Sequence, residues 1–210
     1  TCSSDDFGGL QCQIETDGLA EFFIEVEFIG TWTDARQAVF QSAADRWAEV
    51  ISHVPCGGDF LNPPGRNLIT ATLEAIDGPG MILGFAGPSR VWNECPTISL
   101  SGDMTFDIDD IAQLEEDGSF TDVILHEMGH VVGVGTLWEQ SGFECNTCRT
   151  DGDTEWTCPA LVEEYNDLLG SPGGTEADIV EGRDEREGTA CGHLDEDIFG
   201  TELMTGFIAN

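Results

Sequence analysis

The sequence predicts an α+β fold, on three observations. In the N-terminal half, strand-like alternation and helix-like apolar spacing take turns along the chain. A segment near residues 120–133 then reads as a helix carrying two histidines four residues apart. Beyond Trp138 the apolar periodicity gives way to glycine, aspartate and cysteine, the composition of an irregular, disulfide-held lobe.

Residues 1–18 are polar, contain Cys2 and Cys12, and read as an N-terminal loop stapled on itself. At 22–29, Ile24, Val26 and Phe28 alternate with Glu25 and Glu27, a strand with one buried and one wet face. Thr33 is placed to cap a helix running to about residue 53. Asp34 complements its dipole, and Val39, Ala43, Trp47, Val50 and Ile51 form its apolar stripe. That helix is expected to back the sheet. His53, alone beside Pro55, reads as a structural or exposed residue. A turn at 62–65 leads to a strand at 68–76, rich in Thr, Ile and Leu. The Asp77-Gly78-Pro79-Gly80 turn is followed by a short apolar stretch at 81–86, read as an edge strand or ordinary loop. A further short strand lies within 96–105, and 107–116 reads as a short acidic helix or turn. Cys95 is expected to bridge to Cys56. The histidine helix starts near 120 with Thr121 as candidate N-cap and Val123, Ile124 and Leu125 as apolar surface. Gly133 and Gly135 stand where it should end. A last helix is expected at 159–169, with proline in its first turn.

With 210 residues the chain is long enough for one domain with a sizeable core. It carries 41 acidic against 7 basic residues, a formal charge of −34, and all the basic ones are arginine. Such a surface repels nucleic acid and anionic membrane and argues against both as partners; a highly soluble surface is the plainer reading. It suits a salt-rich setting, where counter-ions screen the self-repulsion. Eight cysteines, an even number, favour disulfides and an extracellular location. No stretch approaches the roughly 18 apolar residues of a membrane span. With no signal peptide visible, a secreted protein would be represented here by its mature form. Cys145, Cys148, Cys158 and Cys191 allow three pairings, and a Cys₄ zinc site is the competing reading for them. Three carboxylate clusters occur: Asp107, Asp109 and Asp110; Asp151, Asp153 and Glu155; and Asp195, Glu196 and Asp197. Solvated faces are the leading reading in so acidic a chain. Asp151, Asp153 and Glu155 are the candidate calcium ligands, although Trp156 and Val162 stand where an EF-hand needs Gly and Glu.

The chemistry concentrates in His126-Glu127-Met128-Gly129-His130. On a helix, residues four apart share a face, so both imidazoles can reach one ion. Catalytic zinc takes three protein ligands and keeps a position for water, whose pKa it lowers toward about 7. Glu127, beside the first histidine, is placed to take the water's proton and hand it to a leaving amine. A chance H-E-x-x-H on a surface helix is the competing reading, but the whole chain has only four histidines. A third ligand six residues after His130 is ruled out, because Thr136 stands there. His53 and His193 remain.

His126 to Trp138, a long insertion, His193 in Cys191-Gly192-His193-Leu194-Asp195, and then Glu202-Leu203-Met204-Thr205-Gly206 together resemble the leishmanolysin family of metzincin zinc endopeptidases. The resemblance is specific at these motifs and extends more weakly over about residues 21–207. It implies His126, His130 and His193 as zinc ligands, Glu127 as general base and Met204 as the Met-turn residue beneath the metal. It also implies a metzincin-like α+β zincin: a twisted mixed sheet with backing and zinc helices (1–133) above an irregular lower lobe (134–210). Gly84, Phe85 and Ala86 would line the cleft and pair with extended protein or peptide substrates by β-augmentation. Some metzincins carry a tyrosine after the Met-turn; Phe207 stands in that region, leaving the oxyanion to zinc. Family members continue past the Met-turn into a further helix, whereas this sequence stops at Asn210. The expectation is a secreted zinc endopeptidase. The alternative is a latent or non-catalytic metal-stabilised surface or adhesion module of the same fold.

Overall fold

Strand alternation in this chain builds a sheet whose two faces differ sharply. The structure, a computed structural model, describes residues 2–4, 10–12, 22–51, 65–93, 95–138, 146–148, 154–156, 159–169 and 191–206. Strand β3 follows two short N-terminal strands, β1 (Cys2–Ser4) and β2 (Leu10–Cys12), and spans Phe23–Ile29. Helix α1 (Asp34–Val50) returns the chain to β4 (Arg66–Glu74), which lies parallel to β3. Then come β5 (Gly84–Trp92) and β6 (Cys95–Asp107). β6 runs parallel to β4, and β5 folds back antiparallel on β6, giving the order β3-β4-β6-β5. Helices α2 (Ile111–Asp117) and α3 (Phe120–Val132) follow, then strands β7 (Asn146–Cys148) and β8 (Thr154–Trp156), and helices α4 (Pro159–Leu169) and α5 (Glu196–Phe199). The result is a mixed α+β structure around a four-stranded mixed sheet. Among the described residues no helix is long and apolar enough to cross a membrane.

One face of the sheet carries the core. Ile24, Ile69, Ala71, Met104 and Phe106 are buried against Phe40, Ala43 and Ala44 of α1 and Val123, Ile124, Met128 and Val131 of α3. Phe40 is fully enclosed, with Phe28, Trp32 and Phe106 edge-on at centroid distances of 5.2, 5.0 and 5.6 Å. Edge-to-face packing suits the aromatic quadrupoles and adds to the area term. Thr33 caps α1 by accepting from the Arg36 amide, and Trp47 Nε1 donates to Leu125 O at 3.0 Å, tying α1 to α3.

The structure corrects several local expectations. Residues 2–4 and 10–12 pair as a hairpin, with Cys2 opposite Cys12, where the polar composition read as a loop. A second hairpin, β7–β8, occupies part of the stretch expected to be loop around the α4 helix. The edge strand begins at Gly84, leaving Met81 and Ile82 exposed before it, and continues to Trp92 through register shifts around Arg90. Such a shift is how an edge absorbs Pro88, which has no amide to donate. Helix α1 stops at Val50; His53 lies outside the described residues, as does Cys56, the expected partner of Cys95. Ser119, not Thr121, is the N-cap of α3, because the helix already begins at Phe120.

Asp107 and Asp110 are buried rather than a solvated cluster. Asp107 accepts amides of Asp77, Gly78 and Asp109 at 2.9–3.0 Å, and Asp110 accepts that of Gly80 at 2.7 Å. Together they clamp the turn that feeds the edge strand. The amides of Asp109 and Asp77 hold the Asp107 carboxyl below the usual aspartate range, against the opposing effect of its burial.

Candidate metal centre

The periodicity of α3 decides which side chains face where. Phe120, Val123, Ile124, Met128 and Val131, at helical spacing, form its buried stripe against the sheet. His126 and His130 lie on an adjoining flank, four residues apart, with ring centroids 4.7 Å apart. The helix ends at Gly133, whose left-handed backbone lets its N–H reach Gly129 O and His130 O.

The third histidine comes from the far end of the chain. Leu194 N donates to Met204 O at 2.8 Å, and Leu194 bridges to Thr205. The Glu202–Thr205 turn is closed by Thr205 N and Oγ1, both donating to Glu202 O. These bonds hold His193 against α3. Its Nε2 lies 3.1 Å from that of His126 and 3.0 Å from that of His130, which are themselves 3.0 Å apart. Among the described residues the cluster comprises these three histidines.

Hydrogen bonding settles two of the tautomers. His126 Nδ1 donates to Leu203 O at 2.7 Å and His130 Nδ1 to Val134 O at 2.9 Å. Carbonyls only accept, so Nδ1 carries the hydrogen and each neutral ring presents a bare Nε2 lone pair. Lone pairs pointed at one another at 3.0 Å repel, and a shared cation is what reconciles them. Nitrogens about 2.0–2.1 Å from a tetrahedral zinc stand about 3.3 Å apart. The observed edges are slightly tighter, so the three residues fit such an ion. Burial pushes His126 down to about 4 and His130 to about 3, and repulsion among the histidines acts the same way. The rings are therefore neutral at pH 7, the form a metal requires.

Glu127 is 7% exposed, its Oε2 has no hydrogen-bond partner among the described residues, and burial pushes its carboxyl up to about 8. Asp110 Oδ2, in the turn clamp, is likewise without a partner among the described residues, so what sets Glu127 apart is its place next to His126; a nearby cation would return its carboxyl to the ionised form. Met204 is buried directly beneath α3: a Cβ on Gly129 would meet its Sδ at 2.8 Å. Thus His126, His130 and His193 are brought together, with Met204 packed against Gly129 of the helix that carries two of them and Glu127 next to His126 in that helix. Gly84, Phe85 and Ala86 open β5, the last strand in the order of the described sheet, with Phe85 half exposed. Cys191, next to Gly192 and His193, is in a disulfide, which removes it as a zinc thiolate. Of the candidate calcium ligands, Asp151 and Asp153 lie outside the described residues, and Glu155 is described only as backbone of β8.

Sequence reasoning missed the carbonyls of Leu203 and Val134, which orient two rings, because every residue has a carbonyl and none is marked. It missed Thr136 too, whose hydroxyl donates to His130 O at 2.6 Å. A cavity of about 350 Å³ among Trp47, Ile51, Asn67, Ile98, Leu137 and Trp138 is not lined by His126, His130 or His193.

Fold and site define a mixed α+β protein with a three-histidine centre able to hold a metal ion. No protein-family model and no curated protein matches the chain.

Proposed function

We propose that this protein is a secreted zinc-dependent endopeptidase, similar to the leishmanolysin family of metzincins. The observation that carries the reading is the convergence of three imidazole Nε2 atoms beside a buried carboxyl with an oxygen that has no partner among the described residues. Histidine-only donors at this spacing suit zinc, and a site with three protein ligands keeps a position for chemistry. His126, His130 and His193 would hold the zinc ion, which when bound would supply Lewis acidity toward the scissile carbonyl and a water molecule. Glu127 takes that water's proton and delivers it to the leaving amine. The carbonyls of Leu203 and Val134 keep His126 and His130 in the coordinating tautomer. Strand β5, with Gly84, Phe85 and Ala86 at its start, offers backbone amides and carbonyls to an extended peptide, which recognises many sequences alike. On this reading 1–133 form the upper subdomain and 134–210 a disulfide-held lower one, with the cleft between them.

The test is cleavage of an unfolded protein in high-salt buffer by wild type, by wild type with a zinc chelator, and by Glu127→Ala, with zinc content measured in parallel. The chelator should abolish turnover. Glu127→Ala should lower it by about 10²–10⁴-fold, the usual contribution of a general acid–base group, with zinc retained. A zinc-loaded wild type without cleavage would refute the peptidase reading, and wild type that takes up no zinc would refute the metal site.

A further inference from the structure

We propose that Gly135 is a positioning residue for the third ligand: its lack of a side chain lets the backbone at Gly192 close on α3 and set His193 in place. The inference rests on the metal-site reading above. Gly135 has φ +77°, and a Cβ there would stand 2.0 Å from Gly192 O, 2.8 Å from Gly192 C and 3.1 Å from Gly192 Cα. All three are backbone atoms, so no rotamer change relieves the contact. Clearing it to an ordinary separation of about 3.4 Å or more moves the neighbouring chain by more than 1 Å, whereas metal–ligand distances tolerate about 0.2 Å.

The segment cannot retreat freely. On one side Cys191 is held by its disulfide and already sits at φ 63°. On the other, Leu194 N is bonded to Met204 O. Displacement is therefore passed to His193, whose Nε2 must stay within 3.1 Å of the other two. Gly118 supplies the control. It has nearly the same φ, +80°, but nothing among the described residues lies within 4 Å of its would-be Cβ. An alanine there reports the strain of a left-handed residue alone.

Zinc affinity by competition with a chromophoric chelator, the visible spectrum of the cobalt-substituted protein, and the thermal midpoint of the metal-free form would be measured for wild type, Gly118→Ala and Gly135→Ala. Gly118→Ala should lose stability yet keep wild-type zinc affinity and spectrum. Gly135→Ala should bind zinc about 10–100-fold more weakly, as expected when a ligand's support is disturbed, with an altered cobalt spectrum. Should Gly135→Ala not fold, Gly135→Asn carries the same Cβ with less backbone strain, because Asn tolerates positive φ. Wild-type affinity and spectrum in either folded Gly135 variant would overturn the proposal while leaving the metal site standing. A wild type without zinc would overturn both.

Discussion

Gly129→Ala separates two opposing effects on the helix that carries the histidines. Alanine in a helix interior is ordinarily more favourable than glycine by about 0.8–1.0 kcal/mol. Here the added methyl would stand 2.8 Å from Met204 Sδ, 3.1 Å from Met204 Cε and 2.9 Å from Trp47 Cζ2. The thioether can swing aside. The indole cannot move so easily, because its Nε1 is bonded to Leu125 O at 3.0 Å. Forcing a methyl into a packed site costs about 1–3 kcal/mol, which outweighs the propensity gain and leaves a net loss of about 1 kcal/mol. For a chain of this length that is a thermal midpoint lower by about 2–4 °C. The assay is thermal and urea unfolding of the metal-free protein, in a cycle with Met204→Ala. Met204→Ala alone should cost about 2–5 kcal/mol. In its background the Gly129 change should be milder by at least about 0.5 kcal/mol, as contacting residues couple. A Gly129→Ala protein as stable as wild type, or additivity with Met204→Ala, would refute the packing of the 202–205 turn beneath α3.

Three further outcomes follow from the same structure. Asp107→Asn should lower the unfolding midpoint at pH 7. The native carboxyl lies below its unfolded value of about 3.9, so its contribution is present above that value and disappears as pH falls through the native one. The gap between wild type and variant should therefore close in acid, and a gap independent of pH would contradict the clamp. Zinc at about 100 times its dissociation constant should stabilise wild type by about 2.7 kcal/mol, about 5–10 °C in midpoint; His193→Ala should lose most of this gain, and an undiminished gain would remove His193 from the ligand set. Finally, with 41 acidic against 7 basic residues, molar potassium chloride should raise the midpoint by screening repulsion. A midpoint unchanged from dilute buffer would dispose of the salt-rich setting.

Some elements were legible because local pattern and tertiary demand agree. Alternation at Ile24, Val26 and Phe28 matches β3, Thr33 does cap α1, and Pro159 does open α4. Others were hidden for identifiable reasons. The β1–β2 and β7–β8 pairs are only three residues a strand, too short for alternation to register. Asp107 and Asp110 looked like surface charge, since a carboxylate buried to hold backbone amides and one facing water have the same composition around them.

What the sequence determined by itself is the helical half of the site: His126 and His130 share a flank because α-helix geometry brings residues four apart together, whatever the rest of the chain does. Strand β3 and the helix that follows it come from local periodicity in the same way, whereas the parallel pairing of β3 with β4 joins distant segments and does not. That His193 joins them is a tertiary result. It depends on Leu194 meeting the carbonyl of Met204, on the Leu203 carbonyl accepting from His126 Nδ1, and on Met204 packing against Gly129. None of these contacts has a local signature, because backbone carbonyls look alike in sequence and close approach is set by packing from distant segments.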